Sequence, residues 1–222
     1  MKNWKTFLSM CSLIAVSGYA RADGVIEQEA PLMGQTSTNC ASVPLPGGGP
    51  RPVLAGATAE LLRTPTGVTA LVRLPTPTPG SYCYPPATLA FDPAAGPAVP
   101  GHPEAFSLWG IYFNNPSACG SGGCSAADVL GPNCVNAQAG AVKLGGHIAG
   151  GGTLRLSGHL QRGEGPLGPL GCAPLTNVLG AEIHIAVAPH GMLNPALLPD
   201  QISTPPGGGP GYWLPAVFPP VD

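Results

Sequence analysis

Glycine and proline, 33 and 29 of 222 residues, are spread through the whole chain and limit how long any regular element can run. Glycine weakens helices through its backbone freedom, and proline breaks them through its missing donor and fixed φ. Short strands joined by turns are therefore predicted, and a long helical protein is excluded. Disorder would need low hydrophobicity and high net charge. Hydrophobic residues instead reach 44 % and the formal charge is -2, so a folded, loop-rich chain is expected.

The first residues read as an export signal. Met1-Lys2-Asn3-Trp4-Lys5 is a basic start, residues 6–20 are largely apolar, and Ala20-Arg21-Ala22 places small residues where a signal peptidase cuts. The predicted signal peptide is 1–22, which implies a periplasmic or extracellular protein. The apolar run is shorter than the ~20 residues of a membrane span, and no span is predicted elsewhere. Lys2, Lys5 and Arg21 leave with the signal, so six basic side chains face eleven acidic ones in the remainder, with Lys143 the sole lysine. Such a surface repels phosphate backbones, which excludes nucleic acid as a partner. An unknown small ligand or a protein is the partner class that remains.

Beyond Cys11 there are six cysteines: Cys40, Cys83, Cys119, Cys124, Cys134 and Cys172. An even number in an exported chain predicts disulfides, and their pairing is open. Cys119 and Cys124 flank a glycine-rich linker that lets them bond. Thiolate zinc ligation is the weaker reading, because the spacing matches no standard zinc pattern.

Residues 23–52 lack periodicity and are expected to form an extended N-terminal lead. Residues 53–222 then make a single disulfide-stapled β-domain with a Pro/Gly-rich C-terminal tail. Runs at 57–63 and 68–74 around Thr64-Pro65-Thr66-Gly67 predict a hairpin. Residues 106–113 are apolar on both alternating faces, as a central strand must be. Runs at 141–149 and 153–161 around Gly150-Gly151-Gly152 predict a second hairpin, and 181–189 a last strong strand. The fold class predicted is all-β, an antiparallel sandwich or barrel with long Gly/Pro-rich loops. In the tail, Tyr212-Trp213-Leu214 and Phe218 are expected to dock on the core.

Alternation sorts the strand faces. Leu154, Leu156 and Leu160 point one way, with Arg155, Ser157 and His159 opposite. Ile183, Ile185 and Val187 oppose Glu182, His184 and, further along, His190. Val142, Leu144 and Ile148 oppose Lys143 and His147. If the last strand lies beside the second hairpin, His147, His159, Glu182 and His184 converge, and imidazole with carboxylate suits a transition metal, Zn or Cu. The alternatives are a buried polar network or unconnected surface side chains, with no cofactor. Motifs for metalloproteases, α/β-hydrolases, P-loops and dinucleotide folds are absent, so an enzyme is the third reading, using Glu182 and His184.

Ala181-Glu182-Ile183-His184, after Gly158-His159-Leu160, resembles the A-H-I-H strand and preceding β-run of CHRD-type β-domains of secreted bacterial proteins. The likeness covers residues 141–191 and implies an extracytoplasmic antiparallel β-domain, in a family whose bacterial members have no settled activity. Glu182 stands where the first histidine of the pattern would be, and the six cysteines are a further departure. The function expected from all of this is an exported binding module acting through the His/Glu metal site. Its rival is a structural or surface-interaction protein without a metal.

Overall fold

The computed structural model of the chain describes residues 24–35, 51–77, 103–120, 122–166, 168, 170–203 and 213–221, together with the backbone of 17–20. Two antiparallel sheets stack face to face. The first holds β1 (Ser17–Ala20), β2 (Ile26–Met33), β3 (Val53–Thr64), β4 (Gly67–Pro75) and β7 (Thr153–Gln161), in the order β1-β2-β3-β4-β7. The second holds β6 (Ala139–Ile148), β5 (Glu104–Phe113), β8 (Glu182–Met192) and β9 (Leu214–Phe218), in the order β6-β5-β8-β9. The all-β sandwich is thus the observed architecture.

The core lies between the sheets. Leu61, Val72, Leu74, Leu154 and Leu160 from the first meet Phe106, Leu108, Tyr112, Ile185 and Phe218 from the second. Strand β5 is buried along nearly its whole length because the outer face of its sheet is covered too. Trp109 packs there with Ala186, Ala188 and Trp213, and Phe113 packs with Val129, Cys134 and Ala137. These last residues belong to a small cap of two short helices, α1 (Ala126–Leu130) and α2 (Cys134–Ala137).

The first hairpin forms as predicted. Thr64 pairs with Gly67 across Pro65-Thr66, and Thr64 Oγ1 donates to Gly67 O at 3.1 Å. The second does not pair with itself. Strands β6 and β7 form at the expected places, but β6 joins β5 and β7 joins β4, so the glycine turn carries the chain from one sheet to the other. The corner needs close backbone approach: a Cβ on Gly158 would stand 2.4 Å from Leu144 O. A side chain there would push the two sheets apart.

Four segments differ from expectation. Residues 26–33, expected within the N-terminal lead, form β2 and bury Ala30 and Leu32. The polar Gln28 shares their face and hides the period, because its side chain is satisfied inside: it accepts from Arg63 Nε and donates to Pro219 O. In the tail, Leu214–Phe218 goes beyond docking and adds edge strand β9 to the second sheet. There Pro215 withholds no ladder donor that a further strand requires. Residues 134–137 and 126–130 turn into helices where only a loop was expected, each too short for a 3.6-residue period to register. Cys40, Cys83, His102, Tyr212 and the Pro-rich stretch at 78–100 lie outside the described residues.

Candidate functional site

Strand alternation puts Glu182 and His184 side by side on the outer face of the second sheet. His184 Nε2–H donates to Glu182 Oε1 at 2.6 Å, and since a carboxylate only accepts, the bond places the ring proton on Nε2. The side chains retain 15 % and 21 % exposure for His184 and Glu182, so solvent or a ligand reaches both. The imidazole lies against the Phe113 ring, centroids 5.0 Å apart, and its strand neighbours are Ile111 on β5 and the exposed Val217 on β9. An ionisable couple is thereby set in an apolar frame. A lowered local dielectric strengthens its charge-assisted hydrogen bond.

The frame is held by the cap. Cys119 is bonded to Cys124 and Cys134 to Cys172, so all four of the expected cysteines that lie among the described residues are disulfide-linked. Asp128 knits the cap: its Oδ2 accepts from Ser125 N and Ser125 Oγ, both at 2.9 Å, and its Oδ1 accepts from Asn133 Nδ2 at 2.7 Å. Asn133 also donates to Ala118 O, tying α1 to the residue before Cys119. Burial pushes the Asp128 carboxyl up, but the hydrogen bonds from Asn133, Ser125 and the Gly120 backbone outweigh it and hold the pKa below the ordinary aspartate value. A carboxyl depressed in the folded state stabilises it fully above the unfolded value of about 4 and loses that contribution as pH falls through the folded value. Acid titration followed by thermal melting should show this loss below about pH 4, and Asp128→Asn should flatten that part of the acid limb. An unchanged acid limb in the variant would count against the role given to Asp128.

The other two expected metal ligands stand elsewhere. His159 is exposed on the outer face of the first sheet, its Nδ1 3.0 Å from Thr69 Oγ1. His147 is exposed near the end of β6, opposite Phe106. Convergence required β8 beside the hairpin, and β8 instead lies between β5 and β9. Among the described residues no group of three or more His, Cys, Asp or Glu side chains is placed to share one metal ion.

A second histidine constellation was legible only as one residue on the right face. His190 Nε2 lies 2.6 Å from Ser107 Oγ, which also accepts from Trp109 Nε1 at 2.7 Å. All three residues are buried, and Gln201 donates to Met192 O beside them. A serine next to a histidine invites a nucleophile reading, but a sealed hydroxyl has no route to a substrate. This network is built on His190 and differs from the one expected among His147, His159, Glu182 and His184. The signal for it was Ser107 in an otherwise apolar strand, whose hydroxyl had to find a partner.

An open cavity of about 430 Å3 lies on the other sheet, lined by Pro65, Thr66, His159, Gln161 and Arg162. No helix among the described residues is long and apolar enough to cross a membrane. No family model matches the chain, and neither does any curated protein or solved structure.

Proposed function

We propose that the chain is an exported β-sandwich binding module whose contact point is the Glu182–His184 couple. The observation that carries this reading is a mostly buried but solvent-reachable carboxylate–imidazole pair at 2.6 Å, held in an apolar frame by a doubly disulfide-linked cap. Export is supported by the basic-apolar-small order of residues 1–22 and by the two disulfides, which persist in oxidising compartments, periplasmic or extracellular. Cleavage after Ala22 would remove β1 and leave β2 as a sheet edge. That strand carries Glu27, Glu29 and Pro31 on its outer side, groups that discourage further strand pairing. The resemblance to CHRD-type domains, carried by residues 181–184, agrees with such a location.

The ligand we assign to the couple is a transition metal, Zn or Cu, with Glu182 and His184 as its protein donors and the remaining positions open to solvent or an exogenous group. Calorimetric titration of Zn and Cu into the tag-free protein tests this. His184→Ala and Glu182→Gln should each weaken binding at least about tenfold, whereas His147→Ala and His159→Ala should leave it unchanged. No binding to the parent protein, or equal losses in all four variants, removes the metal. The separation of His147 and His159 from the couple favours a second reading, a metal-free contact surface in which the same pair meets a protein partner. An enzyme using Glu182 and His184 stays third, because the cavity of the described residues lies on the opposite sheet.

A further inference from the structure

The outer face of the first sheet segregates its charges. Glu29 on β2 stands directly opposite Glu60 on β3, and Arg73 on β4 directly opposite Arg155 on β7. Side chains directly opposite across antiparallel strands are near neighbours, so each of these like-charge pairs opposes folding. A sheet arranged for its own stability would alternate the signs. Here one half is acidic, with Glu27 one row on, and the other basic, with Arg162 beyond the end of β7.

The basic half is unusual for this chain. The other cations among the described residues are engaged internally: Arg51 donates to Gly34 O and Trp213 O, Arg63 is buried among carbonyls, and Lys143 donates to Ser203 Oγ. The guanidinium groups of Arg73, Arg155 and Arg162 meet no hydrogen-bond or ion-pair partner among the described residues. Among the described residues the three cations without such a partner therefore gather on β4, on β7 and just past the end of β7. Between the halves, half-buried Leu62 and Leu71 form an apolar centre on β3 and β4.

We infer that this face docks against the same face of a second copy of the chain. A two-fold axis running parallel to the strands, between β3 and β4, lays β2 and β3 of one copy over β7 and β4 of the other, and so twice faces the acidic strands with the basic ones. The Arg73–Arg155 row lies two residues, ~7 Å, along the strands from the Glu29–Glu60 row and within reach of the long arginine side chains. An axis across the strands would set like on like and is excluded by the charges. The two leucines of each copy meet near the axis, with charges at the rim, the usual anatomy of an interface. Four strands at ~4.8 Å spacing make a small contact, so the pairing is weak and strongly salt-dependent. It involves neither Glu182 nor His184, and its failure would leave the binding-module reading intact.

Sedimentation equilibrium of the purified chain in low and high salt tests the inference. A dimer is expected at low salt, weakened at least about tenfold at 0.5 M salt. Arg73→Glu with Arg155→Glu in one variant, and Glu29→Arg with Glu60→Arg in another, should each abolish it and leave the circular dichroism unchanged, since three of these sites are exposed and Glu60 is only half-buried on the outer face. Mixing the two variants should restore a heterodimer. A parent chain that stays monomeric to millimolar concentration at low salt overturns the proposal, as does a dimer indifferent to these substitutions or a mixture that fails to pair. Retention of a monomeric parent chain on an anionic resin, lost in the arginine variant, would overturn it in favour of an acidic partner.

Discussion

Arg63→Met is expected to cost about 3–5 kcal/mol of folding stability, enough to bring a domain of ordinary stability close to unfolding. Arg63 is fully buried. Its Nε donates to Gln28 Oε1 at 2.7 Å, its Nη1 to Val178 O and Ala181 O at 2.7 and 2.9 Å, and its Nη2 to Phe218 O and Pro219 O at 3.3 and 3.0 Å. One planar group thus ties β3 of the first sheet to the turn before β8 and to the end of β9, all in the second. Methionine fills much of the same volume and removes this donor from every acceptor, leaving only Pro219 O with the Gln28 amide as a substitute, and each orphaned group costs about 1–3 kcal/mol before water relieves part of it. Lysine keeps the charge but brings three donors from a single nitrogen, which cannot serve acceptors spread around a plane, so Arg63→Lys should fall between the two. Urea unfolding measures both. A loss below about 1 kcal/mol for the methionine variant would show that the network adds little beyond packing.

Removing the Cys134–Cys172 bond should be the next most damaging change, at about 4 kcal/mol, against about 2 kcal/mol for Cys119–Cys124. The difference follows from loop length: the first closes a span of 38 residues and the second a span of 5, so they remove unequal entropy from the unfolded chain. The long-range bond also anchors a tight crossing. Gly171 bridges Gly140, and a Cβ on Gly171, whose φ is +138°, would stand 2.4 Å from the Gly140 Cα. Paired Cys→Ala variants, compared by thermal melting under oxidising conditions, give the ranking. The opposite order would mean that the unfolded chain is already held compact near Cys134 and Cys172.

How much of this was legible depended on the range of the interaction. The faces of β7 and β8 followed from alternation alone: Leu154, Leu156 and Leu160 are buried as their spacing predicts, and so are Ile183, Ile185 and Val187. The Glu182–His184 couple was legible for the same reason, since a separation of two on a strand fixes both side chains on one face. Arg63 was legible only in part. It lies in phase with the buried Ala59 and Leu61, but acceptors more than a hundred residues away leave no mark in the local pattern. His190 was similar, its partner Ser107 lying across a pairing that only the folded sheet creates.

The amino-acid sequence by itself determined what acts within one strand or one turn: the all-β class, the Pro65-Thr66 turn, the inward and outward residues of β7 and β8, and the adjacency of Glu182 to His184. Tertiary structure alone decided which strands became neighbours. Glycines 150–152 turn the chain equally well within a sheet or between two, and the choice fell to the approach of Gly158 to Leu144 and to the burial of β5 between β6 and β8. That choice parted His147 and His159 from His184. It also brought Arg73 opposite Arg155, while the separate pairing of β2 with β3 brought Glu29 opposite Glu60. Strand pairing depends on burying complementary faces over the whole domain, a sum that no single segment carries.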